Sequence, residues 1–294
     1  MALSNAGSTV SNAFVTQFAD DVIHASQQKT SKLANSIRIV RNVTGSTYKF
    51  NTMSKGGYMT NKSRFEDITV MSDSSKSMGG SATYTGGVAA HATVTATLNN
   101  YVAGEYVDDF DQLKTNFDFR QTYAEAIGGA LARAYDSEII AQLDASSPTT
   151  TVTASGGLTK AKFLEIAEGL NSNDVDTADR YLVMSPAALT DLLADSGVTT
   201  AADGAISNVA LSTGFIPNFL GFNLIVSNLL SLASTGVRRC FAFQKNSVGL
   251  AVGKEVTASI NYVPQKVSHL IAGEFSAGAA VIDATGVVQI NVTE

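Results

Sequence analysis

The 294-residue chain contains no tryptophan, one cysteine, four prolines and three histidines. A single thiol, Cys240, excludes an intrachain disulfide and any cysteine-based metal cluster. It falls in RRCFAF, an apolar strand-like run, where it reads as a small core residue. No run of eighteen apolar residues is present, so no membrane-spanning helix is expected. The opening MALSNAGSTV lacks a basic segment leading into an apolar one, so a secretory leader is not expected and the chain reads as cytoplasmic. Without a leader, the N-x-S/T matches at Asn42, Asn61 and Asn291 carry no meaning.

Acid is missing from one long stretch. Between Val22 and Phe65 there is no Asp or Glu, and the segment carries Lys29, Lys32, Arg38, Arg41, Lys49, Lys55, Lys62 and Arg64. The reverse holds from Glu105 to Asp144, with Asp108, Asp109, Asp111, Asp118, Glu125, Asp136 and Glu138 against Lys114, Arg120 and Arg133. The net charge of −6 argues against a protein that grips nucleic acid with its whole surface. A basic segment and an acidic one suit a chain whose copies meet head to flank, with chance clustering on a solvated surface as the plain alternative.

What is present is a 45% apolar, 16% charged composition, enough for a substantial core in about two domains. Phe14, Phe18, Val22 and Ile23 lie near helical spacing and predict a short amphipathic helix, followed by an extended arm through IRIVRNV. STYKFNTM and FEDITVM alternate apolar and polar residues around the glycine-containing tip SKGGYMTNKS, predicting a long hairpin with a basic tip and no local core. AAHATVTATL is another alternating strand. Tyr123, Ile127, Leu131, Ala134, Tyr135, Ile139 and Leu143 recur at three- and four-residue steps and predict a helix over 116–144, about 40 Å long, capped by Asn116 or Asp118. Gly128 and Gly129 mark a close-packing point or a bend in it. After the polar linker ASSPTTTVTASGG comes an α/β piece: a helix from Thr159 to Leu170, the strand–turn–helix RYLVMSPAALTDLL, the loop SGVTTAADGAISN, and strands FNLIVSN and RRCFAFQ. Strands resume from Ala251 and end in VVQINV.

Ser185 stands at a strand-to-helix turn, the position of a catalytic serine in many α/β hydrolases. Its surroundings, V-M-S-P-A, lack the flanking glycines of G-x-S-x-G, and Pro186 has no amide to offer an oxyanion. Ser185 is better explained as a helix N-cap with Pro186 at N1. His24, His91 and His269 show no metal-ligand spacing, and the latter two sit in alternating strands as structural histidines. The acidic DDFD at 108–111 precedes a helix, where it favours the dipole, and has no calcium-loop spacing. SGGLTK lacks phosphate-loop spacing. No catalytic residue, metal or cofactor is expected, and a chain of this length without a site is expected to be structural.

The order of elements — basic arm, long hairpin, long helix, α/β piece, closing strands — resembles the major capsid protein fold shared by tailed bacteriophages and encapsulin nanocompartments. DFRQTYAEAIGGALARAYDSEIIAQL is similar to the spine helix of short-tailed phage capsid proteins, including Ala132-x-x-x-Asp136. RYLVMSPAALTDLL and GFIPNFLGFNLIVSNLL resemble the axial-domain strand and helix and the segment that follows. GEFSAGAAVIDATGVVQINV looks like the usual ending on a peripheral-domain strand.

The resemblance implies an α+β capsid fold with four parts. These are an N-terminal arm (1–42), an extended β-hairpin loop with return strands (43–98), a peripheral domain with the spine helix (99–150 and 255–294), and an α/β axial domain (151–254). It implies self-assembly into hexamers and pentamers of an icosahedral head around double-stranded DNA, in a virion assembled in the bacterial cytoplasm. Implied partners are further copies of the chain, a portal, decoration proteins as an option, and a separate scaffolding protein or none. No membrane and no sequence-specific DNA contact are implied. An encapsulin-type shell is the alternative and a hydrolase using Ser185 a weaker one; a β-rich adhesin or tail component is disfavoured by the long helix. Arg38, Arg41, Lys49, Lys55, Lys62 and Arg64 are the expected cationic side of the contact between copies. Asp108, Asp109, Asp111, Glu125 and Glu138 are the expected acceptors.

Overall fold

A computed structural model describes residues 28–56, 58–61, 64–65, 83–85, 91–114, 119–195, 214 and 216–294. The expected helix on Phe14 to Ile23, the loop at 196–208, the caps Asn116 and Asp118, and most of FEDITVM lie outside these residues.

The chain folds around two sheets. The first holds β1 (Arg38–Val40), β13 (Val248–Val263), β14 (Ser268–Val281) and β6 (Asn99–Asp108), in that order. β1 runs parallel to β13, and the other two pairs are antiparallel. The long helix α2 (Phe119–Ala145) lies on this sheet. Its 27 residues give about 40 Å of length. Ile127, Leu131, Ile139, Ile140 and Leu143 are its buried stripe, the period the sequence displays. The helix runs unbroken through Gly128 and Gly129. Gly128 has open space beside it, and on the strand side a Cβ on Gly273 would lie 2.6 Å from Leu131 Cδ1 and 2.8 Å from Ile127 Cγ2, so a bare backbone there lets α2 settle onto β14.

The second sheet has the order β7 (Thr150–Ala154), β15 (Val287–Thr293), β12 (Val237–Gln244), β8 (Arg180–Met184), β10 (Phe222–Val226), β9 (Asn218–Phe219), with β11 (Leu232–Ser234) paired to β12. Leu182, Val183 and Met184 of central β8 are fully buried, as expected of a strand covered on both faces. α3 (Lys160–Ser172) buries Phe163, Ile166 and Leu170, and α4 (Pro186–Ala194) buries Ala188 and Leu192. Cys240 is buried at the centre of β12, and burial pushes its thiol up to about 12. One continuous apolar cluster joins the two sheets.

β2 (Thr47–Met53) pairs with β5 (His91–Thr97), from Thr47 opposite Thr97 to Met53 opposite His91, so AAHATVTATL is a partner of STYKFNTM, while FEDITVM beyond Phe65 lies outside the described residues. β3 (Tyr58–Thr60) and β4 (Thr83–Thr85) continue the ribbon outward. The closing strand β15 sits between β7 and β12, with the α/β piece, whereas 255–294 were expected beside the long helix. The 254/255 boundary also falls inside β13, a single strand of 16 residues. The turn at Ala284–Gly286 carries the chain from one sheet to the other. Gly286 fits there against Ser247, whose Oγ would be 1.9 Å from an added Cβ.

Candidate assembly interface

The β2–β5 ribbon is rooted on the body by small residues. Phe50, Ala96, Ala251 and Ala280 form a separate buried cluster at the root. A Cβ on Gly249 would lie 2.7 Å from Phe50 Cζ, and one on Gly253 2.7 Å from Leu98 Cδ2. One on Gly278 would lie 2.0 Å from the Thr97 carbonyl oxygen. The three glycines thus form a pad on β13 and β14 that receives main chain at Thr97 and the side chains of Phe50 and Leu98. A main-chain bond from Val43 N to Val252 O (3.1 Å) ties the chain just before β2 to β13, and one from Leu98 N to Ser46 O (2.9 Å) closes the two ribbon strands on each other at the base. The repeated glycines in VGLAVGK and FSAGAA were the available sequence signal for this seat.

Beyond the root the ribbon is exposed. Met53 and Tyr58 are open to solvent, and Phe65 is 94% exposed. A second exposed region is the far half of the β13–β14–β6 sheet. β1 covers β13 only from Gly249 to Ala251. From Lys254 onward the outer edge of β13 pairs with no strand among the described residues. Ile260 and Tyr262 on β13, Val102 and Tyr106 on β6, and Leu113 after α1 (Asp109–Gln112) are exposed apolar residues in this half, Leu113 at 83%. An uncovered edge bearing apolar side chains is a ready template for another chain.

The charged residues singled out from sequence divide into three groups. Arg38, Lys49 and Arg64 are exposed on β1, on β2 and near the ribbon tip. Lys62 lies outside the described residues. Arg41 and Lys55 have partners in their own chain: Arg41 Nε is 2.8 Å from Glu255 Oε1, and Lys55 Nζ pairs with Asp174 Oδ2 at 3.1 Å and donates to the Asn173 carbonyl. Both pairs are solvent-exposed, of the kind that contributes about 0–1 kcal/mol.

Among the acids, Asp108 Oδ1 accepts from Phe110 N at 2.7 Å, at the start of α1. Asp109 Oδ1 lies 3.3 Å from His269 Nε2. Asp111 is in α1, and Glu125 faces Lys29 at 3.3 Å. Glu138 corrects the expectation of an acceptor for another copy. It is 7% exposed, takes the Tyr101 hydroxyl proton in a hydrogen bond, and faces Ala279 N at 3.5 Å. Burial, then the Glu138 hydrogen bond and charge, push the Tyr101 hydroxyl up to about 12. Glu138 thus holds α2 to β6 and β14 from inside.

Ser185 answers the question its position raised. It is 1% exposed, has extended backbone angles, and accepts from Ala188 N at 3.1 Å, with Pro186 opening α4. The hydroxyl caps α4 and also hydrogen-bonds the Glu294 carboxylate. Among the described residues no group of three or more His, Cys, Asp or Glu could hold a metal ion, and no helix is long and apolar enough to cross a membrane.

The phage capsid protein family matches residues 10–294. The fold is similar to the capsid structure of the cyanophage P-SCSP1u, with a TM-score of 0.73 and 17% identity over 98% of this chain and 96% of that one. It is similar to a structure of Mycobacterium phage Che8, with a TM-score of 0.69 and 16% identity over 94% and 96% of the two chains. A virus-like particle from Pyrococcus furiosus shares the fold at a TM-score of 0.57 and 13% identity, over 89% and 92%. No curated protein matches the sequence.

Proposed function

We propose that this chain, which belongs to the phage capsid protein family, is a structural major capsid protein whose copies build hexamers and pentamers of an icosahedral head around double-stranded DNA. The observation that carries the assembly reading is the pair of uncovered surfaces: a ribbon rooted on a glycine pad and the open half of the β13–β14–β6 sheet. Among the described residues no strand pairs with the outer edge of β13 beyond Lys254, and Met53, Tyr58 and Phe65 of the ribbon stand exposed, so a second copy is their natural cover. Large obligate interfaces draw on apolar burial and extended-segment pairing, whereas isolated surface ion pairs add little. In this scheme the α/β unit around the second sheet meets its equivalents at the capsomer axis, and the unit of α2 and the first sheet joins capsomers. The exposed cations Arg38, Lys49 and Arg64, with Lys62, steer the ribbon toward acidic residues of a neighbour, Asp108, Asp109 and Asp111 among them. Arg41 and Lys55 exchange their own-chain partners for a neighbour's on assembly. A portal and a scaffolding protein are the expected partners during assembly in the host cytoplasm, with decoration proteins a further possibility in the finished virion.

Gradient sedimentation of the expressed chain tests this reading. Material far heavier than the 30.7 kDa monomer supports it, and a chain found only at the monomer position, with or without its scaffolding protein, overturns it. The likeness to a virus-like particle supports a second reading, a shell around protein cargo. Nuclease-protected DNA inside native particles separates the two.

A further inference from the structure

Asp136 is a carboxylate on α2 with 1% exposure, and its work lies entirely at the point where the N-terminal segment joins the body. Oδ1 accepts from Ser31 Oγ at 2.5 Å and from Leu33 N at 3.2 Å. Oδ2 accepts from Gln28 Nε2 at 2.5 Å and from Lys32 N at 3.0 Å. Four donors from residues 28–33 therefore converge on one buried group. One helical turn earlier, Arg133 Nη1 donates to Gln28 O at 3.3 Å. Lys32 Nζ donates to Val226 O at 2.8 Å, which ties the segment to the second sheet as well. Residues 28–33 form neither helix nor strand, so these bonds stand where a ladder would otherwise fix the backbone.

We infer that Asp136 is a positioning residue for assembly: it fixes the place and direction in which the N-terminal segment leaves the subunit, and so which neighbouring copy that segment reaches. The inference rests on the capsid reading for its purpose, though the clamp itself does not. The chain before Gln28 departs from this clamp, so a change of exit direction changes the neighbour it reaches. Only a carboxylate suits the site. It accepts at all four positions, whereas an amide of the same shape would turn an N–H₂ group toward N–H donors.

The test compares wild type, Asp136→Asn and the arm-side double variant Gln28→Ala/Ser31→Ala, which leaves α2 untouched. Trypsin cleavage after Lys29 and Lys32 in the isolated subunit reads the clamp, and particle shape and yield read its purpose. Both variants are expected to be cleaved about tenfold faster or more, because cleavage tracks the open population, while the thermal melt of the body is retained in the double variant. Their particles are expected to be aberrant or absent. Wild-type cleavage rates in the double variant would overturn the clamp. Faster cleavage with normal particles would overturn the positioning role and leave a merely structural one. Failure of wild type itself to form particles would count against the capsid reading, while the cleavage rates still report on the clamp. If Asp136→Asn does not fold, the double variant decides.

Discussion

Gly278→Ala tests the seat of the ribbon. The new methyl group would stand 2.0 Å from the Thr97 carbonyl oxygen, 2.6 Å from the Thr97 carbonyl carbon and 3.1 Å from Leu98 N. An ordinary contact needs roughly 3.4 Å, so main chain must move by more than 1 Å, and no side-chain rotation can relieve it. Overpacking of this kind costs about 1–3 kcal/mol, and a main-chain obstacle places it at the upper end. At roughly 2–4 °C of melting temperature per kcal/mol, the loss should be about 6 °C or more. The sign is informative, because a Gly→Ala change with room for the methyl group stabilises by about 0.4–1 kcal/mol through the unfolded chain. Thermal melting of the isolated subunit, followed by gradient sedimentation, is the assay. Early melting and fewer particles are expected. A variant that melts at or above the wild-type temperature would refute the glycine-pad reasoning.

Other perturbations have defined outcomes. Ser185→Ala should cost about 1 kcal/mol of stability through loss of the α4 cap and leave particle formation intact; absence of particles from a folded variant would give Ser185 another role. Charge reversal of Lys55 and Lys62 together should reduce particle yield with little change in melting, because the Lys55–Asp174 pair is exposed; wild-type yield would remove these lysines from the interface. Alkaline pH should destabilise the fold. Burial raises Cys240 from 9.0 to about 12, and burial also leads the rise of Tyr101 and Tyr135 from 10.0 to about 12. The folded chain keeps protons that the unfolded chain releases, so this stability is complete below about pH 9 and is lost as pH rises toward about 12. The midpoint of urea unfolding should fall across that window, with Cys240→Ala delaying the onset to about pH 10; a flat profile would contradict the burial of these groups.

Features set by local spacing were legible in the sequence. The apolar stripe of α2 placed it at 116–144, against Phe119–Ala145 in the structure. The Ser185-Pro186 cap and the buried Cys240 follow equally from near neighbours. Pairings across long separations were not legible. The pairing of β2 with β5 is one of these, and it sets Phe50 against Gly249 and Ala251 beside Val94 and Ala96. VVQINV read as a strand, but nothing in its six residues distinguishes the sheet of β14 from that of β12. Charge alone gave no depth: Glu125 and Glu138 look alike on the sequence, yet one faces Lys29 at the surface and the other is enclosed with Tyr101. The Asp136 clamp was hidden for the same reason, since its donors are more than a hundred residues away.

The central claim is that the ribbon and the open half of the β13–β14–β6 sheet are covered by other copies of the chain. A cryo-electron microscopy reconstruction of the assembled protein tests it most directly. A closed icosahedral shell is predicted, with Tyr58 and Phe65 on the ribbon and Ile260 and Leu113 on the sheet unit buried against neighbouring copies. A shell in which these residues remain in solvent, or preparations holding only 30.7 kDa monomers, would contradict it.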